Sequence, residues 1–208
     1  MIQGSDISVQ RFLVKREFFE TIKIEDGAIF HLEYHQRRYE SVLRAHGIGS
    51  FQNLEEFIQA PPQGLYRCKL IYNSQDKQIE TLYFPYTPTM ITTLKLVYDD
   101  RIDYTHKSTD RSALENLFEL REMCDDILIV KNGLLTDTSK ANIALFQDGK
   151  WWTPKMPLLA GTTRQRLLEE QKIFEADISV DALQDFEKLS FMNAMIGFQT
   201  QDRCEILL

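Results

Sequence analysis

The stretch Leu134–Asn142, LLTDTSKAN, and the stretch Ala160–Gln165, AGTTRQ, decide how this chain reads. The first sets an acid, Asp137, between two strand-like runs. The second is a glycine–threonine turn that opens a helical pattern. An acid so placed can hold a protonated ring nitrogen. A helix start with free N–H groups favours a phosphate, because the helix dipole and the amides both attract anions. Upstream, Lys107 in Tyr104–Asp110, YTHKSTD, supplies an amine. The three together suggest a pyridoxal-phosphate enzyme.

Around the acid, Ile127–Val130, the Asn132-Gly133 turn, Leu134–Thr136, Asn142–Phe146, the Asp148-Gly149 turn and Trp151–Thr153 read as a β-meander. Asn-Gly and Asp-Gly between apolar runs are strong hairpin signals. Beyond it, Thr163–Gln171 and Asp181–Phe186 read as helices, and Leu189–Met192 and Ile196–Phe198 as strands. Toward the N-terminus, Glu17–Ile24 reads as a strand that turns at Glu25-Asp26-Gly27 into Ala28–Leu32. Leu32–His46 carries a helical apolar stripe, ended by Gly47–Gly49. Asn53–Gln59 reads as a short helix stopped by Pro61-Pro62. Leu65–Tyr72 and Gln78–Phe84 form a hairpin through Asn73–Lys77, and Leu94–Tyr98 is a further strand. Ahead of an apolar helical face at Ala113–Met123, Ser112 and Glu115 are spaced for a capping box. The fold expected is α+β with two lobes, a small α/β lobe over residues 1–100 and a larger meander or barrel-like lobe over 101–208. The boundary is placed in Asp99–Asp103.

The chain has 208 residues and a formal charge of -7, with 43% hydrophobic and 26% charged residues. Such a chain can bury a real core. The acidic balance argues against nucleic acid as a partner, since phosphate backbones demand basic patches. Cys68, Cys124 and Cys204 are odd in number and lack metal-ligand spacing, which fits buried thiols in a reducing compartment. His31, His35, His46 and His106 share no ligand constellation, so no metal is expected. The start, MIQGSDISVQRF, has no apolar signal region, and no apolar run has the length of a membrane span. A cytoplasmic protein is expected.

Taken singly, each candidate has a plainer reading. Lys107 before a helix is a solvated surface charge, and Asp137 an acidic turn residue. Thr162 and Thr163 can be an ordinary helix cap. Arg38, three residues after His35 in a local basic cluster, can be a surface arginine on an amphipathic helix, and His35 a hydrogen-bonded core histidine.

In their order along the chain, these segments resemble the class IV aminotransferase family of pyridoxal-phosphate enzymes. The matching pieces are Phe18–Gly27, Leu32–Ser41, the Lys107 region, Ile127–Pro154, Leu158–Glu170 and Phe191–Phe198. The resemblance implies that Lys107 bonds to the cofactor and moves the substrate proton. It implies that Arg38, in a His-x-x-Arg pattern, and Thr162 and Thr163 hold the phosphate, with Asn193 completing that cup. Asp137, with Thr138 beside it, takes the place of a family glutamate on the pyridine nitrogen. Aspartate is one methylene shorter, so the carboxylate must approach by roughly 1–1.5 Å.

The small lobe reads as trimmed, and no arginine matches the one used by D-amino acid aminotransferases. Thr21 stands where branched-chain enzymes have glycine and resembles a threonine of the lyases. With His106 and Asn193 it leans toward a 4-amino-4-deoxychorismate lyase, an enzyme of folate biosynthesis that releases pyruvate and 4-aminobenzoate. Asp110, near the asparagine that often follows the lyase lysine, leans the other way, toward a branched-chain or D-amino acid aminotransferase. A third reading is a non-catalytic domain on the same scaffold. The resemblance also implies a homodimer and an amino-acid-like substrate.

Overall fold

The computed structural model describes residues 16–75, 78–201 and 204–207. The N-terminal segment read above for a signal, and Asp76 and Lys77 of the expected hairpin, lie outside these residues. The chain is α+β, built on two sheets. In chain order its elements are β1 (Glu17–Glu25), β2 (Ala28–Ile29), α1 (Leu32–Ala45), β3 (Leu65–Asn73), β4 (Glu80–Pro85) and β5 (Thr93–Tyr98). There follow α2 (Ser112–Phe118), β6 (Asp126–Lys131), β7 (Leu134–Thr138), β8 (Asn142–Gln147), β9 (Lys150–Pro154) and α3 (Thr162–Glu169). β10 (Phe174–Ala176), β11 (Lys188–Asn193), β12 (Gly197–Gln201) and β13 (Glu205–Leu207) complete it.

The first sheet runs β2-β1-β3-β4. Asp26 and Gly27 both have positive φ, so the β1–β2 turn has the handedness that matches strand twist. Alternation along β1 buries Phe18, Glu20, Ile22 and Ile24 on one face, where α1 packs with Tyr39, Val42 and Leu43. From β3 the same core takes Cys68, Leu70 and Tyr72. The opposite face carries Phe19, Thr21, Arg67 and Lys69. The expected helix over 53–59 is a single 3₁₀ turn, Leu54–Phe57, whose Glu55 N–H donates to Asn53 Oδ1.

The second sheet runs β10-β9-β8-β7-β6-β5-β13, with β11 on β8 and β12 on β11. The chain passes between sheets after Pro85 and before Thr93, so β5 pairs with β6 ahead of the Asp99–Asp103 segment. Both hairpin turns form as read, with positive φ at Asn132, Gly133, Asp148 and Gly149. One edge of β8 serves two neighbours in succession. It meets β7 only at Asp137↔Asn142 and β9 from Leu145 onward. The other edge is taken by β11. Asp137 therefore stands where β7 and β8 part.

Four details differ from expectation. The Ser112–Glu115 box is replaced by Asp110, whose Oδ1 accepts from Ser112 N at 3.1 Å and Ser112 Oγ at 2.7 Å. An acid two positions earlier reaches both donors at once. Asp181–Phe186 is 3₁₀ over Val180–Asp185. β10 and β13, three residues each, were not anticipated, because such short parallel additions leave no periodicity to read. Among the described residues no helix is long and apolar enough to cross a membrane.

Candidate active site

A cavity of about 410 Å³ lies between the two sheets, within the usual range for small-molecule sites. Thr21, Arg38, Lys107, Asp137, Thr138, Thr162 and Asn193 all line it. Residues as much as 172 positions apart in sequence are thus brought to one wall or another of the same space.

Lys107 sits on an extended segment that closes against β1. Phe19 N donates to Lys107 O at 2.9 Å, Thr109 N donates to Glu17 O at 2.9 Å, and Phe18 and Ser108 form an antiparallel bridge. Backbone pairing therefore fixes the lysine without using its side chain. Its Nζ lies 4.8 Å from the Phe19 ring centroid. Burial first, then the Arg38 guanidinium, brings the Lys107 ammonium down from 10.5 to about 7. A lysine in that state offers a neutral amine near neutral pH.

Asp137 is buried, and both carboxylate oxygens are held by neutral donors. Asn142 Nδ2 donates to Oδ1 at 2.8 Å and Leu159 N donates to Oδ2 at 2.9 Å. Burial pushes its carboxyl up to about 6 against those hydrogen bonds. Asn142 also donates to Leu159 O at 2.8 Å, tying the strand to the segment before α3. Gly161, which caps α3, has an ordinary φ of -69°. Its need is space, since a Cβ there would fall 2.0 Å from Asn142 Oδ1. The glycine of the turn and the acid of the meander are parts of one packed unit.

Arg38 is held from behind. Glu20 accepts from Arg38 Nε at 2.9 Å and from Nη2 at 2.5 Å, and His35 Nδ1 donates to the same carboxylate at 2.6 Å. Burial alone would raise the Glu20 carboxyl, but Arg38 and His35 outweigh it and bring it to about 2. This leaves Arg38 Nη1 for the cavity. Glu20 was missed from sequence, although a carboxylate in phase with Phe18, Ile22 and Ile24 must find a partner when buried. The basic cluster of the sequence is fully engaged: Arg37 pairs with Glu169 on α3 at 2.8 Å, while His35 and Arg38 share Glu20.

At the far wall, α3 begins without a side-chain cap. Among the described residues neither the Thr162 nor the Thr163 hydroxyl has a hydrogen-bond partner. Thr163 is buried but does not line the cavity, because one residue along a helix turns the side chain by about 100°. Asn193 lines it, yet its Oδ1 accepts from Met195 N at 2.9 Å and Ile196 N at 3.1 Å, shaping its own turn. Thr138 likewise spends its hydroxyl on the turn to Ala141. His106 is not among the lining residues. Its ring lies instead 5.8 Å from that of Phe18 and 5.3 Å from that of His46. Arg111, unremarked in the sequence, lines the cavity and donates to Tyr104 Oη at 3.1 Å and Ser139 O at 2.9 Å.

The donor set suits pyridoxal phosphate. An uncapped helix start, a free threonine hydroxyl and one guanidinium nitrogen fit a phosphate, an acid held by amides fits a protonated ring nitrogen, and an amine of lowered pKa lies between.

This geometry defines a family. The Amino-transferase class IV model matches residues 17–200, and the chain belongs to that family. An uncharacterized protein of Haemophilus influenzae is 41% identical over 185 residues, which is 86% of this chain and 97% of that one. A crystal structure of a putative 4-amino-4-deoxychorismate lyase from Haemophilus somnus superposes with a TM-score of 0.79. It is 38% identical and covers 88% of this chain and 97% of its own. The fold is shared with a hypothetical aminotransferase of Mycobacterium tuberculosis in its pyridoxal-phosphate-bound form. That match has a TM-score of 0.74 at 16% identity, over 90% of this chain and 81% of the other.

Proposed function

We propose that the chain is a pyridoxal-phosphate enzyme that cleaves 4-amino-4-deoxychorismate to pyruvate and 4-aminobenzoate. The observation that carries the cofactor is the pairing of Lys107 and Asp137 on one cavity, the amine brought to about 7 and the acid held by neutral donors alone. When bound, the cofactor supplies an electron sink for the pair left behind as a proton leaves the substrate carbon.

The chain's residues divide the remaining work. With the cofactor present, Lys107 Nζ would hold it and would carry the proton that leaves the substrate carbon. Asp137, once ionised, holds a proton on the ring nitrogen. Arg38 Nη1, the Thr162 hydroxyl and the first amides of α3 hold the phosphate. Phe19 and the β1 backbone keep Lys107 in line. The lyase reading draws on Thr21, which faces the cavity, and on the likeness to the Haemophilus somnus protein. An aminotransferase is the second reading; Asp110, whose place in the sequence tempers the lyase reading, spends its carboxylate on Ser112 and does not line the cavity.

Two measurements test this. Purified protein should be yellow and lose that colour on borohydride treatment. Fed aminodeoxychorismate, it should release pyruvate and 4-aminobenzoate in equal amounts. Amino transfer from amino acids to 2-oxoglutarate without lyase turnover would establish the aminotransferase. A colourless protein that takes up no cofactor would return the non-catalytic reading. A homodimer, read by sizing in solution, belongs to the same proposal.

A further inference from the structure

The phosphate end of the cavity is assembled from two sheets. Arg38 comes to it from α1, which packs on the first sheet. Thr162 and the first amides of α3 come to it from the second. Among the described residues, the buried apolar cluster that takes in α1 and the one that takes in α3 share no member. Hydrophobic packing therefore does not set the spacing between the two helices.

What joins them is polar. Glu169, the last residue of α3, accepts from Arg37 Nη1 at 2.8 Å, Arg37 Nη2 at 3.2 Å and Tyr34 Oη at 3.0 Å. Gln165, one turn back on α3, donates to the same carboxylate at 3.0 Å. The Arg37 guanidinium lies 4.2 Å from the Tyr34 ring centroid, so the two donors of α1 brace each other. Among the described residues, every hydrogen bond between α1 and α3 ends on Glu169. An exposed ion pair alone contributes little, but a two-pronged arginine pair within a network is the exception.

Arg37 and Arg38 are neighbours on α1, and one residue of helix turns the side chain by about 100°. One guanidinium thus holds α3 while the next lines the cavity. On α3 the clasp is at the last residue and Thr162 is the first. At about 1.5 Å per residue, the two stand roughly 10 Å apart on one helix. A shift at Glu169 is carried along it to the amides that face a phosphate.

We propose that Arg37, Tyr34 and Glu169 are positioning residues for the cofactor phosphate, a clasp that sets the distance between Arg38 and the start of α3. This rests on the reading that this end of the cavity takes a phosphate. None of the three lines the cavity.

The test strips the protein of cofactor and titrates it with pyridoxal phosphate, pyridoxal and inorganic phosphate. Absorbance reads the two aldehydes, and calorimetry reads the inorganic ion. Pyridoxal carries the ring and the aldehyde without the phosphate, so it reports on the Lys107 end alone. Both phosphates should bind about threefold more weakly to Arg37→Met and about fivefold more weakly to Glu169→Ala, which also releases Tyr34. Pyridoxal affinity should be unchanged. The double variant should lose no more than Glu169→Ala, because both substitutions remove the same contact. Unchanged phosphate binding in the single variants would overturn the clasp. Equal losses for pyridoxal and pyridoxal phosphate, or losses that add in the double variant, would overturn it too. A parent that takes up neither aldehyde, yet binds inorganic phosphate in a way that depends on Arg37 and Glu169, would sink the cofactor reading and leave the clasp standing.

Discussion

The Arg38 end of the cavity and the Asp137 end solve opposite problems. Arg38 is a buried cation whose charge is met by Glu20, itself steadied by His35. Asp137 is a buried anion whose two oxygens accept from neutral donors, the Asn142 amide and the Leu159 N–H. The first arrangement fixes a guanidinium in place and leaves one nitrogen to work with. The second fixes a carboxylate in place without an ion pair, so burial pushes its carboxyl up to about 6, while Arg38 and His35 overcome burial and bring that of Glu20 to about 2. A charge already answered serves to position. One left unanswered awaits a cation from outside the chain.

Lys107 lies between the two ends, and its loss gives the largest expected effect. Lys107→Ala should lower turnover by at least about 10⁴-fold, since both the covalent bond and the proton carrier disappear. In the parent stripped of cofactor, uptake of pyridoxal phosphate should speed up with pH through about 7 as the Lys107 amine becomes neutral, a limb read from absorbance. Asp137→Ala should cost roughly 10²–10³-fold in turnover, as removal of one preorganised electrostatic group does elsewhere. Asp137→Glu should keep much of it, and a fully active alanine variant would remove the acid from the mechanism.

At the other end the effect is on stability. Glu20→Ala strands the Arg38 guanidinium and should cost about 3 kcal/mol, at the low end for a broken buried pair because Arg38 keeps some solvent. Thermal unfolding reads it. Because the folded pKa of Glu20 is lowered from 4.5 to about 2, its contribution is complete above pH 4.5 and is lost as pH falls through about 2. Glu20→Gln should flatten that part of the acid-stability curve, and an unchanged curve would contradict the pairing.

The smallest substitution joins the two stretches that opened the sequence. Gly161→Ala pushes a methyl onto Asn142 and should loosen cofactor binding by roughly tenfold, with less effect on folding. Equal loss of stability and cofactor affinity would instead make the glycine a packing residue alone.

Much of this was legible in the sequence. The hairpins declared themselves through Asn132-Gly133 and Asp148-Gly149, and the helical stripe of α1 through Tyr39, Val42 and Leu43. Seven of the candidate residues, from Thr21 to Asn193, come together on one cavity. What stayed hidden depends on side-chain direction and distant pairing. His106 and Thr163 are one residue from cavity-lining positions; a bend at His106 and the helical rotation at Thr163 turn them away. Glu20 was read only as part of a strand, because its partners are 15 and 18 positions along the chain. Asn142 and Gly161 were read as strand and turn, whereas Asn142 holds Asp137 and Gly161 leaves Asn142 the room to do so. Arg67 and Lys69 carry no motif at all. Only the folded sheet shows that they share a wall with Lys107.

The central claim is that Lys107, among several lysines on the cavity, is the one that meets the cofactor. Pyridoxal phosphate would be added to the purified chain, fixed with borohydride, and located by mass spectrometry of the digested protein. The expected result is a single modified site at Lys107, absent from Lys107→Ala. Modification at Lys69 or Lys140 in place of Lys107, or none, would contradict it.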